Sequence, residues 1–453
     1  MDLFLVQGGR QLSGRVAVSG SKNATLPIMA AALAADGETV LENVPDLADV
    51  RTLSQLLRQL GMDVAHSDSR KLTIRSVSEE PVTAGYELVR KMRASVCVLG
   101  PLLARRGEAC VSLPGGCNIG NRPIDLHLKG LAALGAEIDV RGGNVHARAK
   151  RLRGASIFLG GVNGSTVTGT CNVMTAAALA EGKTTITAAA CEPEVVALAD
   201  ALNAMGACIS GQGTPQIEIE GVARLSGTRL TMIPDRVETA TLLIAAAMTR
   251  GEITLTQTHA AHLTAVIDLL EQVGCSLELT EESIMISARD RHLTAVDFTA
   301  LPYPGIPTDV QAQLTALACT LNGTSVVTDH VFPERFMHVS ELSRMGAKIR
   351  QQGATAVVTG ATNLTGAPVV ASDLRGSAAL VLAGLTAEGE TAVRRIHHLD
   401  RGYEQLELKL RSLGAVVSRL RESIPAEQVL PLENESDAVI PHDSLLFPSR
   451  KTA

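Results

Sequence analysis

One of the eight cysteines lies in a loop whose composition suits a reactive thiol. The segment SLPGGCNIGNRPIDLH places Cys117 between Gly116 and Gly120, with Arg122 a few residues later. Glycine, proline and asparagine at this density are typical of an exposed loop and unusual in a core element. A nearby cation lowers the pKa of a thiol, which suits it to proton transfer or to covalent capture of a substrate. We therefore predict that Cys117 is reactive on a loop that closes over ligand, whereas the other seven cysteines are core residues.

Basic residues occupy several predicted helix starts, where the helix dipole normally disfavours a cation. They are Lys22, Arg93, Arg236 and Arg375. A cation beside the free N–H groups of a helix start binds anions strongly. If these residues converge, the cleft between them suits a substrate with several phosphate or carboxylate groups. The alternative is local pairing, of Arg236 with Asp235 and of Arg375 with Asp373.

The composition predicts a two-domain cytoplasmic protein. At 453 residues the chain is too long for one hydrophobic core, and a ligand cleft is expected between two domains. Its net charge of -6 argues against a general nucleic-acid or anionic-membrane partner. The first residues do not have the pattern of a signal peptide, and no apolar stretch has the length of a membrane span. The cysteines are scattered and lack the spacing of zinc ligands, which suits free thiols in a reduced cytoplasm. The chain is expected to need neither a metal nor another cofactor.

A short glycine motif occurs six times, at steps of roughly 70 residues, and divides the chain into repeats. In each copy an amphipathic helical pattern ends at the glycine and a short alternating segment follows, which predicts a helix-to-strand turn. The six glycines are Gly61, Gly135, Gly206, Gly274, Gly346 and Gly414.

A second shared piece is expected about forty residues before each of these glycines. It is a helix of small residues, then a glycine turn and a β-branched strand, as in NVMTAAALAEGKTTITAA and ETATLLIAAAMTRGEITLTQ. The repeats therefore predict six βαβ-rich units in two groups of three, with the Ala-rich helices packed inside. The predicted domains are residues 22–233, and residues 1–21 together with 234–421. Residues 422–453 are rich in proline and acids, and are predicted to form an extension outside both domains.

Six motifs together give the chain a resemblance to a known family. They are SGSKNATLP, SLPGGCNIGNRPIDLH, GIPTDVQAQ, VFPERFMHVSELSRMGA, SDLRGSAALVLAG and HLDRGYE. Over nearly all of residues 1–421 the sequence resembles the UDP-N-acetylglucosamine 1-carboxyvinyltransferases of the EPSP synthase superfamily. The resemblance implies an α/β fold of two inside-out α/β barrels, each with three βαβ-type repeats and buried helices. It also implies transfer of the enolpyruvyl group of phosphoenolpyruvate to the 3′-hydroxyl of UDP-N-acetylglucosamine, the first committed step toward the peptidoglycan precursor.

The resemblance assigns roles to individual residues. Cys117 resembles the thiol that donates a proton to C3, forms an adduct with phosphoenolpyruvate and is alkylated by fosfomycin. Asp309 matches the carboxylate that faces the 3′-hydroxyl, as base or as orienting group. The implied phosphoenolpyruvate ligands are Lys22, which shares in catalysis, Asn23, Arg122, Arg375 and Arg401. The implied UDP-sugar ligands are Arg93, Arg122, Pro123, Ile124, Asp125, Leu126, Asp309 and Val331. Arg335 and Asp373 match positions close to the reacting centre.

One segment departs from the family pattern. Many members carry a lysine and a serine that contact the uridine diphosphate, where this chain reads LGGVNGSTVTGT. Gly160, Gly161, Val162 and Asn163 offer no cation there, so Ser165 and backbone N–H groups are the candidates for holding the phosphates.

Three other functions stay open on the sequence. The chain could act on shikimate 3-phosphate, although the PGGC loop and the RPIDLH run are not expected in such an enzyme. It could transfer the same group to another UDP-sugar. It could also be a catalytically silent regulator that senses UDP-sugars, although such a protein has no chemical need for Cys117 or Asp309.

Overall fold

The computed structural model describes residues 2–67, 69–115, 123–361 and 363–421. Helices and strands alternate throughout these ranges. The helices are α1 (Lys22–Ala31), α2 (Ala48–Gln59), α3 (Tyr86–Val89), α4 (Leu99–Arg106), α5 (Asp125–Ala133), α6 (Val167–Ala177), α7 (Pro193–Ala204), α8 (Arg236–Met248), α9 (Thr264–Val273), α10 (Thr308–Ala318), α11 (His338–Arg344), α12 (Leu374–Thr386) and α13 (Leu406–Ser412). Short 3-10 helices cover Ala32–Ala34, Arg93–Val98, Ala260–Leu263 and Ile396–Arg401.

The strands are short and are spread evenly along the chain. Those before α8 are β1 (Asp2–Gln7), β2 (Ser13–Ala17), β3 (Ala35–Asp36), β4 (Glu38–Glu42), β5 (Met62–Ser67), β6 (Lys71–Ser76), β7 (Thr83–Ala84), β8 (Glu108–Ser112), β9 (Glu137–Arg141), β10 (Asn144–Arg148), β11 (Ser156–Phe158), β12 (Gly160–Gly161), β13 (Gly164–Ser165), β14 (Lys183–Thr187), β15 (Cys208–Ser210), β16 (Gln216–Glu220), β17 (Leu225–Ser226) and β18 (Arg229–Thr231). Those after α8 are β19 (Glu252–Thr256), β20 (Ser276–Leu279), β21 (Ser283–Ser287), β22 (Phe298–Ala300), β23 (Thr324–Asp329), β24 (Lys348–Gln352), β25 (Thr355–Thr359), β26 (Pro368–Val370), β27 (Glu390–Arg394) and β28 (Val416–Arg421).

Six four-stranded sheets in the described ranges share one topology. In each, a parallel pair of strands is followed by two antiparallel neighbours. The strand orders are β18-β4-β6-β5, β7-β8-β10-β9, β11-β14-β16-β15, β2-β19-β21-β20, β22-β23-β25-β24 and β26-β27-β1-β28. The sixfold repetition that the glycine motif predicts is therefore confirmed, and the sixth sheet takes its third strand, β1, from the beginning of the chain.

The six motif glycines form the predicted helix-to-strand turns. All of them have positive φ, from 81° at Gly61 to 113° at Gly274. A left-handed residue of this kind ends a helix without the steric penalty that a Cβ would bring. A helix precedes and a strand follows each of these glycines, from α2 and β5 to α13 and β28.

The helices of small residues are buried inside the sheets. Every residue of α8 is buried, and α10 and α12 are buried along nearly their whole length. The outer helices are instead amphipathic, as in α2, where Leu53, Leu56 and Leu57 are buried and Arg51 is exposed. Alanine and glycine allow the inner helices to approach one another closely, which explains why so few aromatic residues are needed.

The buried apolar residues form two separate cores. One core is built from residues 26–232, and the other from residues 4–18 together with residues 237–417. This division supports the predicted domain boundaries, which we propose on that basis. The predicted extension, residues 422–453, lies outside the described residues. None of the helices in the described part of the chain combines the length and the apolar character that a membrane crossing requires.

The cysteines only partly follow the prediction that all but Cys117 are core residues. Cys97, Cys171, Cys275 and Cys319 are buried, but two others are half-buried and Cys208 is exposed. Cys208 begins β15, an edge strand whose first and third residues face outward. Cys117 itself lies outside the described residues.

The chain passes between the two domains twice, near residues 20 and 234, and these two crossings lie next to each other. Gly20 and Pro234 form an antiparallel bridge, and the N–H of Ser21 donates to the carbonyl of Ile233 at 2.7 Å. The N–H of Asp235 donates to the carbonyl of Ser19 at 2.9 Å. A Cβ on Gly20 would lie 1.9 Å from the carbonyl oxygen of Asn43, so only glycine fits at this crossing.

Candidate active site

The starts of four buried helices bring the predicted site residues to the boundary between the two domains. Lys22 and Arg236 are the first residues of α1 and α8, and Asp309 and Arg375 are the second residues of α10 and α12. The N–H of Lys22 donates to the carboxylate of Asp235 at 3.2 Å, which links α1 of one domain to α8 of the other. Lys22, Arg236 and Arg375 all lie close enough to Asp309 for their charges to act on it, so these helix-start cations converge as predicted. Arg93 instead contacts Pro123 in a separate group.

Asp309 is the centre of the first group of contacts. Arg335 donates to one carboxylate oxygen at 2.8 Å and Arg375 to the other at 2.9 Å, while the side-chain amide of Asn23 reaches the same oxygen as Arg375 at 3.4 Å. Burial alone would raise the pKa of this carboxyl, but Arg375 and then Arg335 outweigh burial and hold it well below its usual value. Asp309 is thus ionised, oriented by two guanidinium groups and, at 28 % side-chain exposure, still open to a ligand.

Among the described cations of the site Arg375 is the most deeply buried, at 1 % exposure. It packs over the ring of Tyr403, whose hydroxyl accepts from Gln313 at 3.0 Å. Its Nε and Nη1, and also Nε of Arg335, are buried without a hydrogen-bond partner among the described residues. Buried guanidinium donors of this kind need an acceptor, and an anionic ligand supplies one.

A second carboxylate, Asp49, joins cations from both domains. It accepts from Nζ of Lys22 at 3.2 Å and from Nε of Arg401 at 2.9 Å, and it is buried at 4 % exposure. The sequence predicts Lys22 and Arg401 as ligands of one substrate, and the structure brings them to one carboxylate. Asp49 was missed, because an acid in the first turn of an amphipathic helix is an ordinary sequence feature.

Asp373 and Arg335 support this centre. The carboxylate of Asp373 accepts from the N–H groups of Arg375 and Gly376, at 2.9 and 3.1 Å, and so fixes the start of α12. Burial would raise its pKa, but the charge of Arg335 and these N–H groups lower it below the usual value. His338 beside it is buried, and burial lowers the pKa of its imidazole to about 4.

The predicted UDP-sugar residues form a second group around the start of α5. Arg93 begins a 3-10 helix and donates to the carbonyl of Pro123 at 3.1 Å. Ile124 is buried, Asp125 is the first residue of α5 and is exposed, and Leu126 is half-buried. Residues 123–126 form one short stretch of chain that follows the segment 116–122, and Arg93 joins them through its hydrogen bond to Pro123.

The segment that departs from the family pattern is a small hairpin. Gly160 and Gly161 pair with Ser165 and Gly164, and the tip residue Val162 is fully exposed. A Cβ on Gly161 would lie 3.0 Å from Leu126, so this hairpin lies against the predicted UDP-sugar residues.

Val331 is held near Asp309 through a carboxylate that the sequence did not single out. Asp329 accepts from the N–H of Val331 at 2.9 Å and from the hydroxyl of Thr308 at 2.7 Å. Thr308 is the neighbour of Asp309 in the chain, so Val331 is fixed relative to the start of α10.

Arg236 and Arg375 do not pair with the neighbouring acids Asp235 and Asp373. Asp235 and Asp373 instead cap α8 and α12 through backbone N–H groups. Arg236 pairs with Glu194 of the other domain at 2.9 Å, and Arg375 pairs with Asp309. Glu194, like Asp49, is a long-range partner without a local sequence signal.

Two predicted residues lie outside the described ranges. These are Cys117 and Arg122, both in the segment 116–122. The described site therefore consists of an oriented carboxylate beside a cluster of cations, which can bind a polyanion and hold a hydroxyl group for proton removal.

Comparison with known proteins identifies relatives over almost the whole chain. Residues 6–410 match the family model of EPSP synthase (3-phosphoshikimate 1-carboxyvinyltransferase). A UDP-N-acetylglucosamine 1-carboxyvinyltransferase of Desulfosudis oleivorans is 51% identical over 420 residues, which cover 93% of this chain and 100% of the relative. A protein of the same name from Methylacidiphilum infernorum is 50% identical over 424 residues, or 94% of this chain and 100% of the relative.

Solved structures share the fold. The enolpyruvyl transferase NikO from Streptomyces tendae superposes with a TM-score of 0.83 at 25% identity, over 92% of this chain and 98% of NikO. An EPSP synthase from Acinetobacter baumannii superposes with a TM-score of 0.72 at 19% identity, over 93% of this chain and 100% of that chain. The predicted two-domain inside-out α/β architecture is thereby confirmed.

Proposed function

The chain belongs to the EPSP synthase family and, within it, to the UDP-N-acetylglucosamine 1-carboxyvinyltransferases, and on this premise we propose its reaction. It transfers the enolpyruvyl group of phosphoenolpyruvate to the 3′-hydroxyl of UDP-N-acetylglucosamine and releases phosphate. The observation that carries the proposal is the placement of Asp309 between Arg335 and Arg375, beside Lys22 and Asn23 of the other domain.

Asp309 acts on the attacking hydroxyl. Its ionised carboxylate can accept a hydrogen bond from the 3′-hydroxyl and orient the oxygen toward C2 of phosphoenolpyruvate. As the C–O bond forms, the hydroxyl proton is removed, and the carboxylate is the acceptor next to it. Arg335 and Arg375 each donate to one carboxylate oxygen of Asp309 and so fix the orientation of the carboxylate.

Cations hold the phosphoenolpyruvate. Its phosphate and carboxylate need several positive groups, and the proposed ligands are Lys22, Asn23, Arg122, Arg375 and Arg401. The buried unpartnered donors of Arg375 support this assignment, since the free site leaves them without an acceptor. After addition, loss of phosphate and of the C3 proton restores the double bond, and the same cations stabilise the leaving dianion.

Cys117 supplies the proton to C3 in this proposal. Protonation of C3 accompanies addition of the hydroxyl at C2, so a proton donor is needed near C3. A thiol in a loop with Arg122 suits this role by its acidity, although both residues lie outside the described ranges.

The UDP-sugar occupies the second group of residues. We propose that Arg93, Pro123, Ile124, Asp125, Leu126 and Val331, together with Arg122, line its site. The hairpin Gly160–Ser165 lies against Leu126, which supports contact of the diphosphate with its backbone N–H groups. The reaction makes a peptidoglycan precursor, so we place the protein in the cytoplasm and in cell-wall synthesis, cell shape and division.

Phosphate release tests the proposal directly. The purified protein should release phosphate from phosphoenolpyruvate with UDP-N-acetylglucosamine as acceptor, and a chelator should leave the rate unchanged, because side-chain cations supply the charge that a metal would bring. A panel of other UDP-sugars and shikimate 3-phosphate serves as the comparison. Turnover only with shikimate 3-phosphate, only with another UDP-sugar, or with no acceptor would contradict the proposal.

The role of Cys117 has its own test in fosfomycin. This small epoxide should inactivate the protein, and faster in the presence of UDP-N-acetylglucosamine, since loop closure brings the thiol to the activating cations. Cys117→Asp should keep turnover and resist fosfomycin, because a carboxylic acid still donates a proton but is not alkylated as the thiol is. Cys117→Ser should lose turnover. A fully active Cys117→Ser variant, or labelling of another cysteine, would remove Cys117 from the mechanism.

A further inference from the structure

The segment 301–307 leads from strand β22 directly into α10 and ends two residues before Asp309. It belongs to the second domain, yet its contacts reach the first. A Cβ on Gly164, in the hairpin of the first domain, would lie 2.9 Å from the ring of Pro302. The segment is thus in van der Waals contact with the hairpin that also lies against the proposed UDP-sugar site.

Arg236 holds the same segment from the other side. Its guanidinium packs over the ring of Tyr303 with 5.5 Å to the centroid, and Nε donates to Glu194 of α7 at 2.9 Å. The side chains of Arg236 and Glu194 are 8 % and 4 % exposed, so this ion pair is shielded from water and from salt. Such a pair restricts two side chains to one geometry far more strongly than an exposed pair does.

Glu192 adds a third contact between the domains. This buried residue precedes α7, and burial raises the pKa of its carboxyl. The backbone N–H of Tyr303 faces the carboxylate and offsets part of that rise. The hydroxyl of Tyr303 donates to the carbonyl of Ala261 at 3.3 Å, which ties the segment back to its own domain. Tyr303 is therefore held by its ring, its backbone and its hydroxyl.

We propose that Glu194 and Arg236 are positioning residues, which seat the segment 301–307 across the domain boundary and thereby set Asp309 against the acceptor hydroxyl. The inference rests on the proposed function for the role of Asp309. Neither residue needs to touch substrate for this. Arg236 lies close enough to Asp309 for the two charges to interact, so loss of the pair acts on the carboxylate through both the backbone and the local charge.

The kinetic test separates positioning from binding. Glu194→Ala should lower kcat with UDP-N-acetylglucosamine at least tenfold, with KM for phosphoenolpyruvate changed less than twofold, because the ligands of that substrate are other residues. Glu194→Gln keeps an acceptor oxygen for Arg236 and should recover part of the loss. The double variant Glu194→Ala/Arg236→Ala should be no slower than the slower single variant, because both residues act through one contact.

A matched control comes from the same helix. Asp200 is an exposed acid on α7 that bonds only Gln212 among the described residues, and Asp200→Asn should have the kcat and KM of the wild type. A wild-type kcat in Glu194→Ala would overturn the proposal. It would also be overturned if Glu194→Gln and Glu194→Ala lost kcat and the affinity for both substrates to the same extent.

Hydrogen–deuterium exchange tests the seating of the segment without any turnover. The peptide that covers residues 298–309 should exchange several-fold faster in Glu194→Ala than in the wild type, while peptides from β23 and β25 stay unchanged. If the wild type shows no transfer to UDP-N-acetylglucosamine, the proposed function fails, yet this exchange still decides whether Glu194 holds the segment. Unchanged exchange overturns the inference. If Glu194→Ala does not fold, Arg236→Lys replaces it, because lysine keeps the charge but cannot stack flat on Tyr303. The kinetic parameters and the exchange of residues 298–309 are then measured on that variant.

Discussion

At the scale of single residues, the site uses ion pairs to orient groups before substrate arrives. Arg335 and Arg375 hold the pKa of Asp309 well below its usual value, against the effect of burial, so the free protein contains a well-placed but weak base. Phosphoenolpyruvate carries phosphate and carboxylate groups that compete for the same guanidinium donors. We therefore expect bound phosphoenolpyruvate to weaken the ion pairs of Asp309 with Arg335 and Arg375. The pKa of Asp309 should then rise toward its usual range, which makes the carboxylate a better proton acceptor when the hydroxyl attacks.

Arg401 gives the first prediction at this scale. Arg401→Ala should raise KM for phosphoenolpyruvate by roughly 10- to 150-fold, since a lost charge-assisted contact costs about 1.5–3 kcal/mol. KM for the UDP-sugar should change much less, because the loss falls on one ligand. Steady-state kinetics with each substrate varied in turn measures both values. Equal effects on the two substrates would place Arg401 outside the phosphoenolpyruvate site.

His338 gives a prediction for pH. Its folded pKa of about 4 lies below the unfolded value of 6.5, so the unfolded chain takes up a proton that the folded chain refuses. The contribution of His338 to stability is full above about pH 6.5 and falls as pH drops toward 4, by about 2 kcal/mol between pH 7 and pH 5. The neighbouring Asp373 has a lowered pKa and titrates below this window.

Urea unfolding at pH 7, 6 and 5 measures this effect. His338→Gln should lose less stability than the wild type across the same interval, because the variant has no proton to take up at this position. Parallel pH profiles for the two proteins would mean that His338 does not cause the loss.

The residues that were predicted from sequence are those with a local signal. Lys22 and Arg375 stand out because a cation at a helix start conflicts with the helix dipole. Asp49 and Glu194 carry no such signal, because acids in first helical turns are common. Their partners Arg401 and Arg236 lie far away in the sequence, and only the packing of the two domains brings them together.

At the scale of elements, glycines are required where helices turn into strands and where chain segments pass close to one another. The six motif glycines could be predicted because a helix end needs a left-handed residue, which is a local requirement. The closeness of Gly20 to Asn43 could not be predicted, since it depends on where a distant turn lies. Neither could the hairpin Gly160–Ser165, whose two-residue strands are too short to give an alternating pattern.

Gly20 therefore gives a prediction at this scale. Gly20→Ala should lower stability by about 1–3 kcal/mol, because the added Cβ meets a backbone carbonyl that has to move. It should also lower kcat, because this glycine lies where the chain passes between the domains. Thermal unfolding and phosphate release measure the two effects.

Gly85 provides the matched control for this variant. It has a φ of -73° and nothing within 4 Å of an added Cβ. Gly85→Ala should behave like the wild type in both measurements. A Gly20→Ala variant that is equally neutral would show that the crossing tolerates a shift of Asn43.

At the scale of the whole molecule, the two cores follow the division of the repeats. Composition and periodicity indicated two groups of three units, because each unit repeats the same local pattern. The relative placement of the groups could not be derived from the pattern, since it depends on contacts between side chains such as Arg401 and Asp49. Only the resemblance to a known family led to the expectation of two inside-out α/β barrels.

The extension gives a prediction for the whole chain. Removal of residues after 425 should leave kcat within a few-fold of the full-length value, and the melting temperature nearly unchanged, because its composition offers few apolar residues for a core. Differential scanning calorimetry and phosphate release on the truncated chain check both statements. A large fall in melting temperature would show that the extension packs on a domain.

Strand β1 comes before every other described strand along the chain, so it leaves the ribosome ahead of them, yet it is among the last of them to find its neighbours. It pairs with β27 and β28, so that Asp2 lies opposite Arg421. At a synthesis rate of 5–20 residues per second, β1 waits roughly 20–80 s before its partners exist. During that time residues 22–233 can complete their own core, while β1 remains an unpaired apolar strand that a chaperone could bind. The fold thus imposes an order of assembly in which the domain that contains β1 is completed after residues 22–233.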